Sequence, residues 1–237
     1  MERRLPLHTG GPRDLPERLR TMRTAIAWSH DLLTPEEQVA YRRLAVFDGG
    51  FTLEAAEQVM SLEGEDVRLA DWLDLIAALV ERGLLWQSEQ PDGDASFGML
   101  ETIRECGLEQ LKTSGEEEDD HRAHAAYYLS LVEALGSGNG QTLFGVLDRI
   151  ERELPNFRLA LAWTEQSEDI RLGLRMAASL HPLWHIRSHR AEGRVWLARA
   201  LARDPGETSE DRAAALLSLG HFEHDFGNAE RGPGYIN

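Results

Sequence analysis

Lysine is almost absent from this 237-residue sequence: of its 25 basic side chains only Lys112 is a lysine, and the rest are arginine. A nucleotide-binding P-loop needs a lysine to reach the phosphates and glycines whose backbone N–H groups wrap them. Lys112-Thr113 is the one pair to test, and Leu111 stands where glycine is required, so the sequence carries no P-loop. Cysteine is equally scarce. A single Cys106 excludes an internal disulfide framework and suits a reducing, cytoplasmic setting. On a helical pattern it reads as a small hydrophobe, not a nucleophile. No apolar run approaches the roughly 18–20 residues that cross a bilayer, and Met1-Glu2-Arg3-Arg4 leads into no signal-peptide core. Positive charge is also in short supply, with a net charge of −16. Residues 51–112 hold 4 basic against 14 acidic side chains, and residues 113–120 hold 5 acidic and none basic. What is present, 42% hydrophobic and 28% charged residues, is ordinary for one large or two small globular domains.

Residues 1–14 are polar and broken by Pro6, Gly10, Gly11 and Pro12, which reads as a leader or linker. Helical spacing then predicts a helix from Pro16 to Leu33. Thr34-Pro35-Glu36-Glu37 marks the next start, with a Thr N-cap, Pro in the first turn and acids behind it. That helix presents Val39, Leu44, Val46 and Phe47 and stops at Asp48-Gly49-Gly50. Thr52 caps a short helix to Met60, and after the polar turn Glu63–Asp66 an amphipathic helix spans Val67–Glu81. Leu84–Gln87 and Ser96–Met99 flank Pro91-Asp92-Gly93-Asp94 as a β-hairpin. Three helices and a hairpin are the order of a winged helix. Leu100–Leu111 returns to helix, with Gly107 costing about 1 kcal/mol relative to alanine in its interior. The acidic run Thr113–Asp120 reads as the solvated start of another helix.

From His121 onward the pattern is helical throughout: 121–135, 142–153, 156–166, 169–187, 191–203 and 209–226. Trp184 followed by Ala191-Glu192 is echoed 38 residues later by Phe222 followed by Ala229-Glu230. Paired helices repeating on that scale fit a tetratricopeptide-like array, and the last unit is interrupted by Gly232-Pro233-Gly234. Its final helix is therefore expected to leave an apolar side uncovered.

Several blocks taken together carry a resemblance: TGGPRDLPERLRTMRTAIAWSHDLL, EEQVAYRRLAVFDGGFTLEAAE, FGMLETIREC, HAAYYLSLVEAL, LPNFRLALAWTEQ and LWHIRSHRAEGRVWLARAL. In order and spacing they resemble the bacterial STAND-class signalling ATPases and related LuxR-type transcriptional regulators. In those proteins a P-loop NTPase precedes a winged helix and a repeat array. The resemblance implies that this chain corresponds to the region after the NTPase. It also places Met99-Leu100-Glu101 where the family has a nucleotide-facing Met-His-Asp motif. Leu100 cannot donate a hydrogen bond to phosphate, so the residues read as core: Leu100 and Ile103 are expected to anchor the connecting helix.

Charge then separates the functional classes. DNA binding needs several Lys or Arg against phosphates, whereas 67–81, the helix in the recognition position, carries Asp71, Asp74 and Glu81 against Arg68, flanked by Glu63, Glu65 and Asp66. His181, His185 and His189, and His221 with His224, have helical spacing that could hold zinc, but no known ligand pattern surrounds them. Neither a Gly-x-Ser-x-Gly elbow nor a strand-preceded glycine loop is present. What remains is surface for partners, where aromatic and Arg side chains dominate contact energies. Trp184, Arg187, Arg190, Arg194 and Trp196 form one such cluster.

The sequence thus predicts a mainly α protein: a winged-helix domain over 15–112 and a tetratricopeptide-like domain over 117–237, its last repeat incomplete. The expected role is a non-catalytic, cytoplasmic, protein-interacting region of a signalling ATPase in transcription control. No cofactor or metal is expected, and the expected partner is another protein or the nucleotide domain of a larger regulator. Two other readings stay open: a winged-helix DNA-binding transcriptional regulator, and an uncharacterised enzyme.

Overall fold

The computed structural model describes residues 17–60, 69–90, 93, 95–136, 142–206 and 208–230, with the side chains of 17–20, 69–71 and 226–230 left aside. The leader 1–14, the turn 63–66, the tip of the expected hairpin at 91, 92 and 94, and the sequence after Glu230 lie outside the described residues. So do Val67 and Arg68.

Twelve helices and three short strands make up the described chain. Helix α1 spans Glu17–Asp31 and α2 spans Pro35–Leu44. The Thr34 signal forms a full capping box: Glu37 N donates to Thr34 Oγ1 at 3.2 Å and Thr34 N donates to Glu37 Oε2 at 2.8 Å. The expected α2 was longer. It ends at Leu44, and Val46 and Phe47 are buried in the turn that follows. Strand β1, Phe51–Thr52, is two residues long, too short for any period-2 signal. Thr52 Oγ1 accepts from Ala55 N at 3.2 Å and starts α3, Leu53–Met60. Helix α4 spans Leu69–Glu81.

Strands β2 (Trp86–Glu89) and β3 (Ala95–Gly98) form the hairpin, in register Trp86↔Gly98 and Gln87↔Phe97. Strand β1 pairs antiparallel with the other edge of β3, giving the order β1-β3-β2. Helices α2, α3 and α4 with this sheet form a winged helix. Helix α5, Glu101–Ser114, packs back along α2. The glycine that looked costly has a tertiary reason. A Cβ at Gly107 would stand 2.6 Å from Ala45 Cβ, so glycine is what lets the two helices approach.

Seven helices follow: α6 (Glu117–Gly136), α7 (Leu143–Arg152), α8 (Leu154–Thr164), α9 (Ile170–Ser179), α10 (His181–Ile186), α11 (Arg190–Arg203) and α12 (Glu210–Glu230). The single helix expected over 169–187 is broken at Leu180, because Pro182 has no N–H for the next backbone bond. Helices α9, α11 and α12 pack on one another, and Gly193 of α11 lies against the buried rings of Trp184 and Phe222, with Trp184 Cε3 at 2.6 Å from a Cβ built there. The two residues paired by the 38-residue echo thus flank one glycine. On α12, Leu216 and Leu217 are exposed. The apolar core is continuous from Ile26 to Phe222, running through both halves. Among the described residues no helix is long and apolar enough to cross a membrane.

Candidate functional site

The helix in the recognition position, α4, buries Trp72, Ile76 and Leu79 and exposes Leu73, Asp74, Ala77 and Glu81. No Lys or Arg lies between Leu69 and Glu81. Arg82, just beyond its end, pairs with Glu37 at 3.3 Å. The wing strand β2 turns Gln87, Ser88 and Glu89 outward. A duplex approaching α4 would meet carboxylates and an exposed leucine, and between Leu69 and Glu81 no cation to replace its counterions.

Leu100 is not a core anchor. It is the N-cap of α5 in an extended conformation, φ −67 and ψ 144, which turns its side chain outward, and it is 57% exposed. Ile103 is buried, and its carbonyl accepts from Tyr41 Oη at 2.7 Å. Met99 is half-buried against the core, and Glu101 is exposed and pairs with Arg104 at 3.2 Å. Of the three residues in the expected nucleotide-facing position, Leu100 and Glu101 are therefore exposed and Met99 is half-buried.

The cluster 184–196 also needs correction as a partner surface. Trp184 is fully buried between α11 and α12, so no partner can reach it. Trp196 is half-buried, with the Arg199 guanidinium 5.7 Å from its ring centroid. The arginines are engaged within the chain. Arg187 pairs with Asp148 and, at 3.3 Å, with Glu151. Arg190 stands 3.7 Å from Asp225, and Arg194 3.4 Å from Glu223. They belong to a ladder in which arginines bridge to acids 29 to 42 residues away: Arg158 to Glu192, Arg175 to Glu133, Arg171 to Asp211 and Arg199 to Glu165. Several are two-pronged, such as Arg158 on Glu192 at 2.6 and 2.7 Å. Only a planar guanidinium offers that fork. Arginine, the predominant basic residue of the sequence, thus bridges helices that are distant along the chain.

The most developed polar constellation was not foreseen, and it joins the winged helix to the helical array. At its centre is Asn156, the third residue of α8, 1% exposed. Its Oδ1 accepts from Asp48 N at 2.8 Å, and its Nδ2 donates to Gly50 O at 2.7 Å and to Glu153 Oε2 at 3.1 Å. Tyr128 Oη donates to the same Glu153 oxygen at 2.9 Å. Burial raises the Glu153 carboxyl above its ordinary range, against those two hydrogen bonds. Around this hub Phe47 carries the ring contacts across the boundary, meeting His124 at 5.2 Å and Tyr128 at 6.5 Å, while Phe51 stacks on Phe47 at 4.6 Å on one side and Phe157 meets Tyr128 at 5.1 Å on the other. His124 is fully buried, and loss of water pulls its imidazole down to about 3.

A second contact lies at the start of α6. Glu116 accepts from Arg42 Nε at 2.6 Å and Nη2 at 3.0 Å, and the hydrogen-bonded Arg42 pulls its carboxyl down to about 2. Arg43, 4% exposed, also reaches Glu116 and faces the buried Asp120. The acidic run is thus solvated only in part: Glu117, Glu118 and Asp119 are exposed, while Glu116 and Asp120 serve the joint. Basic residues at the C-terminal end of α2 meet acidic ones at the N-terminal end of α6, which suits both helix dipoles. Lys112 lies at an open cleft of about 530 Å³ with His121 and Trp163. Among the described residues no group of three or more His, Cys, Asp or Glu is placed to hold a metal ion.

Comparison with known proteins bears on the winged helix first. Residues 33–112 match the family described as "Winged helix-turn-helix domain". Over 190 residues, 80% of this chain, the sequence is 38% identical to "Putative HTH-type transcriptional regulator Mb0914c" of Mycobacterium bovis, and equally to "Putative HTH-type transcriptional regulator Rv0890c" of Mycobacterium tuberculosis. In both cases the match covers 21% of the relative. "Uncharacterized protein Rv0894" of Mycobacterium tuberculosis is 36% identical over 96 residues, 40% of this chain and 24% of that protein. The chain therefore spans about a fifth of the length of the curated relatives it matches. No solved structure matches it.

Proposed function

We propose that this winged-helix chain serves transcription regulation as a non-catalytic coupling section, in which the winged helix contacts protein and the helical array sets its position. The regulatory class is supported by the winged helix-turn-helix match over 33–112 and by the printed names of the mycobacterial relatives. Protein rather than DNA as the contact is supported by one observation above the others: α4 exposes Leu73, Asp74, Ala77 and Glu81 and carries no basic residue. The joint through Asn156 supports the coupling role, since movement of the array passes directly to the loop 48–50 of the winged helix. The sequence resemblance to STAND-class ATPases extends the reading: the contacted protein would be the nucleotide domain of a larger regulator, with the tetratricopeptide-like array receiving the signal.

A second reading is that the winged helix binds DNA itself, and the domain match and the relatives' names favour it. Titration of the purified chain against labelled duplex DNA at low salt decides between the two. The coupling reading expects no rise in anisotropy. Salt-dependent binding, with a slope equivalent to several released counterions, would establish the second reading instead.

A further inference from the structure

The turn that opens α6 holds a carboxyl in an unusual setting. Asp120 is fully buried, and neither of its oxygens has a hydrogen-bond partner among the described residues. Across the α2–α6 contact it faces Arg43, whose Nε stands 3.9 Å from Oδ1, beyond hydrogen-bond reach. The Arg43 guanidinium is engaged elsewhere. Nη1 donates to Met60 O, the last carbonyl of α3, at 3.1 Å, and Nη2 donates to Glu116 at 3.4 Å.

We infer that Asp120 and Arg43 form a proton-operated latch between the winged helix and the array. With a proton on Asp120, Arg43 holds the end of α3 and Glu116. When the proton leaves, the carboxylate draws Arg43 off them.

An ionised carboxylate without hydrogen bonds is strongly disfavoured in a buried site. The donor that can relieve it is Arg43 Nε, and closing the gap takes a movement of about 1 Å. The guanidinium is planar, so that movement carries Nη1 and Nη2 with it and strains the bonds to Met60 O and Glu116. Met60 is the last residue of α3, so a proton exchanged at the joint acts on the end of that helix. The other charges acting on Asp120 are Arg42 on α2, Glu116 before α6 and Asp119 beside it. His121 and His124 follow on α6, and burial disfavours the protonated form of both. Loss of water outweighs the pull of Arg43 and pushes the Asp120 carboxyl up to about 7, so the exchange falls near neutral pH.

The native state then keeps a proton that the unfolded chain releases near the ordinary aspartate value. Asp120 thus favours folding at low pH, and that advantage is lost as pH rises toward about 7. Thermal melts of the full chain and of Asp120→Asn, from about pH 5 to about pH 8, isolate this contribution. The melting temperature of the native chain is expected to fall relative to the variant up to about pH 7 and then run parallel to it. A constant difference across the range overturns the proposal. Should the variant not fold, carboxyl 13C NMR of the native chain replaces it: one aspartate titrating near neutrality is expected, and none doing so is the overturning result. Hydrogen exchange reads the latch itself. After correction for intrinsic rate, amides at the end of α3 should lose protection above about pH 7 in the native chain. Unchanged protection there would leave Asp120 a buried acid only and refute the latch.

Discussion

Replacing Asn156 by alanine removes the side chain on which the joint turns. The Asp48 N–H, the Gly50 carbonyl and Glu153 each lose one hydrogen bond, of 2.8, 2.7 and 3.1 Å. A buried polar group left without its partner costs about 1–3 kcal/mol. Asp48 and Gly50 are only half-buried, so water can replace part of what is lost there. Glu153 keeps Tyr128. A net loss of about 3 kcal/mol is expected, a large share of the roughly 5–15 kcal/mol that holds a domain folded. For a chain of this size that is a fall in melting temperature of roughly 6–12 °C. Urea unfolding followed by circular dichroism gives the free energy directly. A loss under about 1 kcal/mol would refute the assignment of Asn156 as the hub of the joint.

Three further outcomes follow from other parts of the molecule. Gly107→Ala gains about 1 kcal/mol in helix propensity but sets a Cβ 2.6 Å from Ala45 Cβ, so net destabilisation is expected by chemical unfolding, with Ala45→Gly restoring stability in the double variant. His124, held neutral by burial with its value pulled down to about 3, gives stability that is present above its ordinary value of 6.5 and is lost as pH falls through that window. Unfolding of His124→Gln between about pH 4 and pH 7 should lack that slope. Arg187→Ala breaks a partly exposed pair with Asp148 and Glu151 and should cost less than about 1 kcal/mol in urea unfolding.

Much of the fold could be read locally, because its signals are local. Thr34 and Glu37 form the capping box their spacing implies, and the apolar pattern over 67–81 reports α4. The failures have a common cause in tertiary structure. Strand β1 exists only because β3 offers it an edge, and two residues show no period. Gly107 looked like a local cost and turned out to be the point where α5 meets Ala45. The acids at 116 and 120 looked solvated because a charge run carries no record of Arg42 and Arg43, more than 70 residues earlier in the chain. Trp184 and Arg187, three residues apart, looked like one surface. In the fold the indole is buried while the arginine reaches Asp148. Asn156 gave no signal, since the partners that make it a joint, Asp48 N and Gly50 O, are backbone groups more than 100 residues earlier in the chain. Trp184 and Phe222, the pair echoed 38 residues apart, meet at one glycine, Gly193, a contact that their spacing did not announce.

The central claim is that the winged helix and the array move as one coupled body. Native-state hydrogen exchange under rising urea tests it most directly. Protected amides of α2 and α3 and those of α8 and α9 should merge into a single opening, with one free energy and one urea dependence. Two separate openings, with the winged helix exchanging at a free energy well below that of the array, would contradict it.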